Sequence, residues 1–451
     1  MRRIALRSAT IIVVILLFCA GLGLFYGRLA IVGDRWATYP TNAHLYRDGH
    51  LVKAGDITDR NGEVLAYTDD KTRHFHSNPE IRKSTAHTVG DLEGFVSTGI
   101  HSAFLNELTG YDLINGTYSY SGEGHDLQLT IDSELSVTAY RALNGRAGTV
   151  GVYNYKTGEI LCMVSAPTFD PATETGISAQ KGVYVNRLLS GSYAPGSVFK
   201  LVTALSALEN ISYVHEQTYT CHRGVTIDGE WLSCLQNHGT LGLESALVNS
   251  CNAAFAQFAL QLGRERLTQT AEKVGFNKTL TMDGIRCTPS SYEVDQANNI
   301  DFGWSGIGQY NDTANPFQFL TFMGAIAGGG TCRWPYVVED ISSLSGTLKT
   351  AVHGKRVKMM DRATADTLSD MMRKDVTDHY GDGNFAGLEL CAKTGTAEIG
   401  ERSTPHSWFV GFCRADEKPY AFVVVVENAG AGLGVASNIA GRVLRAAPEW
   451  S

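Results

Sequence analysis

The sequence has no excess of basic residues and no internal repeat or low-complexity tract. Its 46 acidic residues outnumber 38 Lys and Arg, so the net charge is −8 at pH 7 and the pI is about 5.9. This balance argues against nucleic acid as a partner, because nucleic-acid-binding surfaces concentrate positive charge. The close-spaced pairs of cysteine and histidine that mark zinc sites are also missing, and a site built from His222 and His238 is disfavoured. We therefore expect neither a metal nor a cofactor.

Long hydrophobic runs are scarce as well. Residues 9–26 form an uncharged, mostly apolar run of 18 residues, near the lower limit for crossing a bilayer. Arg2, Arg3 and Arg7 precede the run and place the N-terminus, residues 1–8, in the cytoplasm. A cleaved signal peptide is the alternative, but the run exceeds the usual apolar length of about 7–15 residues and lacks a clear A-x-A site. The sequence thus predicts a single-pass protein of the cell membrane, with most of the chain outside the cytoplasm.

Nine cysteines are many for an exported chain. Cys221 and Cys234 bracket a short polar segment and can close a disulfide hairpin, but two unrelated thiols fit the sequence equally well. Cys251 and Cys391 adjoin the strings described below and have no charged neighbour that would activate them. We interpret both as small buried residues.

Ser197-Val-Phe-Lys200 is an S-x-x-K string at the start of a helical pattern. Pro195 and Gly196 break the chain just before it, and an apolar stretch follows. We expect Ser197 in the first turn of a helix and Lys200 one turn above it on the same face. A serine hydroxyl needs an adjacent base, and a lysine desolvated among apolar neighbours can have its pKa lowered enough to serve. A second S-x-x-K, at residues 178–181, lies between glycines and is predicted to be a loop.

Ser250-Cys-Asn252 is the S-x-N string of the chain. An apolar helical run ends just before it and another begins with Asn252, so both polar side chains fall at a junction between two helices. The Ser250 hydroxyl can relay a proton between a nucleophile and a leaving group, and the Asn252 amide can hold a substrate carbonyl. A helix cap is the plainer interpretation of these two residues taken alone.

Lys393-Thr-Gly-Thr396 is a K-T-G string within residues 388–396, which read as a strand. Two further strand patterns follow at residues 407–412 and 421–427, so an antiparallel sheet is predicted. A second K-T-G, at residues 156–158, joins two other strand patterns and is predicted to be a hairpin turn.

On such a strand, each residue of the K-T-G string has a possible role in binding. Lys393 supplies a cation beside a cleft, and Gly395 permits close approach of a substrate backbone. Thr394 and Thr396 offer hydroxyl groups to a carboxylate.

In this order, the three strings resemble those of the penicilloyl-serine transferases, the superfamily of penicillin-binding proteins and serine β-lactamases. Further segments resemble class B penicillin-binding proteins, and they are residues 55–66, 127–132, 157–161, 164–167, 307–309 and 406–409. The resemblance extends from about residue 55 to the C-terminal helix. It implies an α+β fold, in which helices flank an antiparallel sheet on both faces.

The chain of 451 residues is too long for one ordinary domain. Residues 28–124 are predicted to form a separate pedestal module, in which Asn61-Gly62 marks a hairpin. No plausible set of catalytic groups gathers there, and the module is far shorter than the glycosyltransferase region of a bifunctional class A enzyme. Residues 125–451 are assigned to the transpeptidase domain.

The resemblance implies a D,D-transpeptidase that cross-links peptidoglycan stem peptides ending in D-Ala-D-Ala. Ser197 would attack the penultimate D-Ala carbonyl with Lys200 as general base, although the identity of the base stays open. The N–H groups of Ser197 and Thr396 would form the oxyanion hole, and the K-T-G strand would bind the terminal carboxylate. Ser250 would pass a proton to the departing D-Ala. β-Lactam antibiotics would acylate Ser197.

Three alternatives remain open at this point. A serine β-lactamase of class A would need a Glu-x-x-Leu-Asn string, which does not occur between Ser250 and Lys393. A β-lactam sensor domain would normally follow several membrane spans. A non-catalytic cell-wall scaffold is the third alternative, although all the family's reacting positions are filled. Because a polymerase module is missing, we expect a multi-pass glycosyltransferase as partner.

Overall fold

The computed structural model describes residues 2–37, 46–47, 50–51, 54–69, 72–112, 117–118, 124–174, 176, 178–343, 346–350, 354–397 and 404–450. Parts of the predicted pedestal module, among them residues 38–45 and 119–123, lie outside this description.

The N-terminal helix Arg2–Ala37 contains the predicted membrane span. Within it, the stretch Arg7–Leu29 is long and apolar enough to cross a bilayer, and its side chains do not pack against the rest of the protein. It is the one helix of this kind among the described residues. The predicted run, residues 9–26, lies inside this stretch.

A central sheet of five antiparallel strands lies at the middle of the predicted transpeptidase domain. Its strands, in spatial order, are Ile160–Ala166, Gly148–Asn154, Tyr420–Val426, His406–Cys413 and Leu390–Ala397. The predicted C-terminal strands are confirmed, and the second K-T-G string forms the hairpin turn between the first two strands. Because the sheet joins both ends of the domain, it brings distant parts of the sequence together.

Both faces of the central sheet are covered by helices, as the α+β prediction requires. Val424 and Val426 pack in one core with Val443 of the C-terminal helix. Val423 and Val425 point to the other face, into the core that contains Phe319. Alternate side chains of a strand point to opposite faces. Because both faces are buried here, every position of this valine run is apolar.

Several helices begin at a residue whose side chain caps the first turn. Asp132 caps Ser133–Leu143 with its side chain, and Asn315 does the same for Pro316–Ala327. The other α-helices after the N-terminal one are Pro79–Val89, Ile100–Ala103, Leu105–Thr109, Arg187–Ser190, Lys200–Asn210, Leu243–Val248, Asn252–Leu262, Arg264–Lys273, Asn299–Ser305, Arg362–Asp375 and Val435–Ala446.

A second sheet contains strands from both sides of the predicted domain boundary. Its order is Gly346–Thr350, Val338–Ser343, Asp126–Leu129, Ile57–Thr58, Val64–Asp69 and Thr72–Phe75. The predicted hairpin at Asn61-Gly62 is present, since Ile57 pairs with Ala66. Arg82 also reaches across the boundary and binds Asp170 through two hydrogen bonds of 2.7 Å. The division at residue 124 therefore stays a prediction.

A long hairpin lies beside the candidate site, which we call the cysteine hairpin (Tyr219–Ile227 and Glu230–Leu241). It packs against the helix Asn252–Leu262. The smaller strand pairs are Tyr46–Arg47 with His50–Leu51, Tyr111–Asp112 with Thr117–Tyr118, Thr281–Met282 with Ile285–Arg286, and Thr331–Arg333 with Arg356–Lys358.

Candidate active site

Ser197 lies in a short 3₁₀ turn, Gly196–Phe199, that leads directly into the helix Lys200–Asn210. The backbone of Gly196 has φ +56°, and a Cβ atom there would lie 2.4 Å from the carbonyl oxygen of Thr396. Only glycine fits both conditions without strain. The predicted helix start is confirmed, and the turn lies against the K-T-G strand.

The Lys200 ammonium group is fully buried among oxygen atoms of two of the three strings. Its Nζ lies 3.1 Å from Ser197 Oγ and 3.1 Å from Ser250 Oγ. It also donates to the Ser250 carbonyl oxygen at 2.6 Å and to Asn252 Oδ1 at 2.7 Å. The predicted S-x-x-K and S-x-N residues therefore meet around one amine.

This environment favours the neutral form of Lys200. Burial, together with the nearby Lys393 ammonium, lowers the pKa of Lys200 from 10.5 to about 7. A neutral amine has two hydrogens for the Ser250 carbonyl and the Asn252 amide, and its lone pair can accept the Ser197 hydroxyl proton. The geometry is that of a serine beside a base.

The S-x-N turn joins the helices Leu243–Val248 and Asn252–Leu262, as predicted. Ser250 has φ +49°, a left-handed conformation that costs a non-glycine residue about 1–3 kcal/mol. Asn252 Nδ2 donates to the carbonyl oxygen of Ser233 on the cysteine hairpin at 3.2 Å. The hairpin therefore supports the amide that holds Lys200.

The K-T-G strand, Leu390–Ala397, is the edge strand of the central sheet. A Cβ atom on Gly395 would lie 2.9 Å from the Pro195 carbonyl oxygen and 3.0 Å from Val198 Cγ1. The close approach at Gly395 is thus made by the chain's own nucleophile turn, whereas the sequence suggested a substrate backbone. The Thr396 side chain is exposed, and the Gln309 amide donates to the Thr396 carbonyl oxygen at 3.4 Å.

Lys393 is buried in a network with two residues that sequence reasoning missed. Its Nζ lies 3.2 Å from Asp375 Oδ2 and 3.2 Å from Tyr380 Oη. Tyr380 Oη donates to Asp375 Oδ2 at 2.7 Å and lies 3.0 Å from Thr394 Oγ1. Burial disfavours the ammonium, but the Asp375 carboxylate and the Tyr380 hydroxyl outweigh it and raise the pKa of Lys393.

Asp375 ends the helix Arg362–Asp375, and Tyr380 ends the irregular π-type turn, Val376–Tyr380, that follows it. Such a turn has no hydrophobic periodicity by which sequence could place it. The Thr394 hydroxyl also faces Tyr380, so a ligand at Thr394 would share this hydroxyl with the tyrosine.

The cysteines near the site are free thiols that pack together. Cys221, Cys234 and Cys251 lie with His238 in one group, whereas His222 is exposed and is not part of it. Cys251 is buried as expected, but the expectation of no metal site did not anticipate this group. Spacing along the chain cannot reveal it, because the cysteine hairpin and the S-x-N turn meet only in the folded protein.

Known proteins resemble this chain in sequence and in fold. Residues 148–445 match the family "Penicillin binding protein transpeptidase domain". The chain is 28% identical over 475 aligned residues to peptidoglycan D,D-transpeptidase PbpA of Mycolicibacterium smegmatis, covering 95% of this chain and 94% of that protein. It is also 28% identical over 353 residues to stage V sporulation protein D of Bacillus subtilis, covering 73% and 54% of the two chains.

Solved structures give the same result. The imipenem acyl-enzyme complex of penicillin-binding protein A from M. tuberculosis superposes with a TM-score of 0.77 at 25% identity, covering 89% of this chain and all of that one. The transpeptidase domain of a peptidoglycan glycosyltransferase from Eggerthella lenta gives 0.75 at 26% identity, covering 87% and 97%. The family match spans well over half of the sequence, and the chain therefore belongs to the penicillin-binding protein transpeptidase family, as a class B member.

Proposed function

We propose that the protein is a membrane-anchored D,D-transpeptidase that cross-links peptidoglycan stem peptides ending in D-Ala-D-Ala. The observation that carries this proposal is the buried Lys200 amine, 3.1 Å from Ser197 Oγ and held by Ser250 and Asn252. Relatives named as D,D-transpeptidases and solved as β-lactam acyl-enzymes support it.

In the acylation step, neutral Lys200 takes the Ser197 hydroxyl proton while Oγ attacks the penultimate D-Ala carbonyl carbon. The N–H groups of Ser197 and Thr396 bind the developing oxyanion. One such donor is typically worth about 3–4 kcal/mol of the barrier. β-Lactams acylate Ser197 by the same route, because their reactive amide mimics the D-Ala-D-Ala terminus.

Collapse of the tetrahedral intermediate releases D-Ala as an amine, which needs a proton. Ser250 Oγ lies 3.1 Å from Lys200 Nζ and can pass the proton from the lysine to that amine. Asn252 Nδ2 has a second hydrogen besides the one donated to Ser233, and this hydrogen is available to a substrate carbonyl. The amine of a neighbouring stem peptide then attacks the carbonyl carbon of the acyl-Ser197 ester. The new C–N bond forms as the ester C–O bond breaks, and the proton lost by the amine passes through Lys200 to Ser197 Oγ.

The terminal carboxylate of the donor binds at the K-T-G strand. Lys393 supplies the positive charge, the hydroxyls of Thr394 and Thr396 donate hydrogen bonds, and Gly395 keeps the strand close to Ser197. Asp375 and Tyr380 contact Lys393 and keep it in its protonated form.

The proposal also gives a role to each segment that precedes the catalytic domain. Residues 1–8 face the cytoplasm, residues 9–26 anchor the protein, and residues 28–124 hold residues 125–451 away from the membrane. A multi-pass glycosyltransferase supplies the glycan strands. Replacing residues 9–26 by an unrelated span should abolish co-purification with that partner if the anchor makes the contact, and unchanged recovery would contradict it.

Labelling with a fluorescent penicillin tests the acyl-enzyme. The purified protein should be labelled on Ser197, as located by peptide mass spectrometry, and Ser197→Ala should not be labelled. Ser178→Ala is the matched control, because Ser178 begins the second S-x-x-K string on a loop and should leave labelling unchanged.

A second assay separates a transpeptidase from a hydrolase. A donor peptide ending in D-Ala-D-Ala should be joined to an amine acceptor with release of D-Ala, and the bound β-lactam should leave slowly. Labelling of Ser197→Ala at the wild-type rate would refute the assigned nucleophile. Rapid turnover of the β-lactam without peptide transfer would indicate a β-lactamase instead.

A further inference from the structure

Four potential metal ligands converge beside the S-x-N turn. The ligand atoms of Cys221, Cys234, His238 and Cys251 all lie within 4.8 Å of one another. His238 Nδ1 is 3.6 Å from Cys221 Sγ and 3.5 Å from Cys234 Sγ, and the sulfur atoms of Cys234 and Cys251 are 4.0 Å apart. The three cysteines are buried.

These separations fit the edges of a tetrahedron around zinc. With Zn–S bonds of about 2.3 Å and Zn–N bonds of about 2.0–2.1 Å, a tetrahedral ion sets S–S edges of about 3.8 Å and S–N edges of about 3.5 Å. We propose that Cys221, Cys234, Cys251 and His238 bind a structural Zn²⁺ ion. Three thiolates and one imidazole in a closed tetrahedron are a ligand set that selects zinc.

The backbone of the cysteine hairpin departs from regular pairing at the point where the ligands gather. Cys221 pairs with Gly239 and Gly224 pairs with Ser233, with shifts of register between them. The extra residues of the second strand bulge there, and Arg223 on the first strand has φ +66°. Bulges re-aim side chains, and this one turns Cys234 and His238 towards Cys221.

The surroundings of the group suit thiolate sulfur. The backbone N–H of Asn252 donates to Cys234 Sγ at 3.3 Å, and Cys251 is the N-cap residue of the helix Asn252–Leu262. Helix N-termini stabilise negative charge, and N–H···S hydrogen bonds orient metal-bound sulfur. A disulfide between Cys221 and Cys234 is the competing state in an oxidising compartment, but it would leave Cys251 and His238 without a role.

A zinc ion at this place would act as a positioning element for the catalytic centre. Cys251 lies between Ser250 and Asn252, both of which contact Lys200. A metal that joins Cys251 to Cys221 and Cys234 ties the cysteine hairpin to the S-x-N turn and helps to hold Ser250 at its positive φ. This consequence rests on the proposed function, whereas the metal content does not.

The metal content of the full-length protein tests the proposal directly. The protein is purified in detergent with reductant, given Zn²⁺ and then dialysed exhaustively. Elemental analysis by mass spectrometry should then find one zinc per chain. Co²⁺ added to the metal-free protein should give thiolate-to-cobalt charge-transfer absorption. Absence of tightly bound zinc while the three thiols of the group are free would overturn the proposal, as would a disulfide within the group that persists under these reducing conditions.

Two histidine variants of the same hairpin provide a matched pair. His238→Ala should weaken zinc binding by more than about 100-fold, since even outer-shell partners of zinc ligands are worth about 10–100-fold. His222→Ala, at the exposed neighbouring position, should keep full occupancy. His238→Cys should restore binding, because four thiolates also form a zinc site.

Activity gives a separate readout. In His238→Ala, we expect slower acylation by fluorescent penicillin, and His238→Cys should recover the rate. Equal zinc content in wild type and His238→Ala would refute the site, whatever the activity. Zinc binding by a wild-type protein that no penicillin labels would instead leave the site standing and refute the proposed function.

Discussion

Two buried lysines share the candidate site, and their environments differ in one decisive respect. The side chains of Lys200 and Lys393 are both almost completely inaccessible to solvent. Lys200 is surrounded by neutral oxygen atoms, whereas Lys393 makes an ion pair with Asp375. The pKa of Lys200 falls to about 7 and that of Lys393 rises. Burial alone therefore does not decide the charge of a lysine, because the presence of a carboxylate partner reverses its effect.

The difference divides the chemistry between the two residues. An amine that is half neutral near pH 7 can take a proton from Ser197, and an ammonium that stays charged can bind a carboxylate. Each lysine is also part of the other's environment, since the charge of Lys393 helps to lower the pKa of Lys200.

The largest expected effect is that of replacing Lys200 by arginine, and the same replacement of Lys393 is its matched comparison. A guanidinium group cannot act as a base, so Lys200→Arg should lower the acylation rate by about 10²–10⁴-fold, the usual contribution of a general base. Lys393→Arg keeps the positive charge, so we expect its acylation rate to fall by at most about 10-fold. The second-order rate of labelling by fluorescent penicillin measures both changes.

Melting temperatures control for folding in this pair, since both positions are buried. If Lys200→Arg and Lys393→Arg lost the same activity while both remained folded, the assignment of base and cation would be wrong.

The ion pair itself predicts the next largest effect, on stability. Asp375→Asn removes the carboxylate and leaves Lys393 as a buried charge without its counter-ion, which typically costs about 3–5 kcal/mol. Tyr380→Phe removes one hydrogen-bonding hydroxyl and should cost about 1–3 kcal/mol. Thermal or denaturant unfolding of the purified protein gives the two values.

Asp370→Asn is the control for this comparison, because Asp370 pairs with Arg414 at the exposed surface and such pairs are worth about 0–1 kcal/mol. An equal loss of stability in Asp370→Asn and Asp375→Asn would contradict the buried pair.

The contact that holds the two lysines in one site is also testable. In Gly395→Ala, the new Cβ would meet the Pro195 carbonyl oxygen at 2.9 Å, so the strand and the nucleophile turn must separate. Overpacking of this kind costs about 1–3 kcal/mol, and we expect slower acylation with it. Gly383→Ala is the control, because no atom lies within 4 Å of its Cβ position. Equal melting temperatures and rates in both variants would refute the close contact.

The sequence predicted those parts of the site that depend on local structure. Pro195 and Gly196 fix a helix start at Ser197, and Lys200 must then lie one turn above it. The strand patterns after Leu388 predicted the strand on which Lys393 lies, but not its place at the edge of the sheet. The order of the three strings supplied the family resemblance, and with it the fold.

Other features depend on contacts between segments that carry no local signal. Asp375 reaches Lys393 through an irregular turn, and His238 reaches Cys221 through a bulged hairpin. The sheet that joins Ile57–Thr58 to Asp126–Leu129 is equally hidden, because these short strands are recognisable only once they are paired.

The smallest expected effect, on the pH dependence of acylation, tests the coupling between the two lysines. Lys200 must be neutral to act as a base, so the rate should rise with pH through a midpoint near 7 and stay high while Lys393 remains protonated. The titratable groups around Lys200 act on its pKa in opposite directions: Lys393 lowers it, whereas Cys234, Cys251 and Asp375 raise it.

Removing the charge of Lys393 should therefore move this midpoint upwards. In Lys393→Met, we expect a shift to higher pH of less than about 1 unit, which corresponds to less than about 1.4 kcal/mol of interaction. Asp375→Asn removes a negative charge and, as long as Lys393 keeps its proton, should move the midpoint downwards instead. Rate–pH profiles of the three proteins, measured with one penicillin, give both signs. If Lys393 stays charged in Asp375→Asn, shifts in the same direction would mean that the midpoint does not report Lys200, because one titrating lysine does not respond alike to the loss of a cation and the loss of an anion.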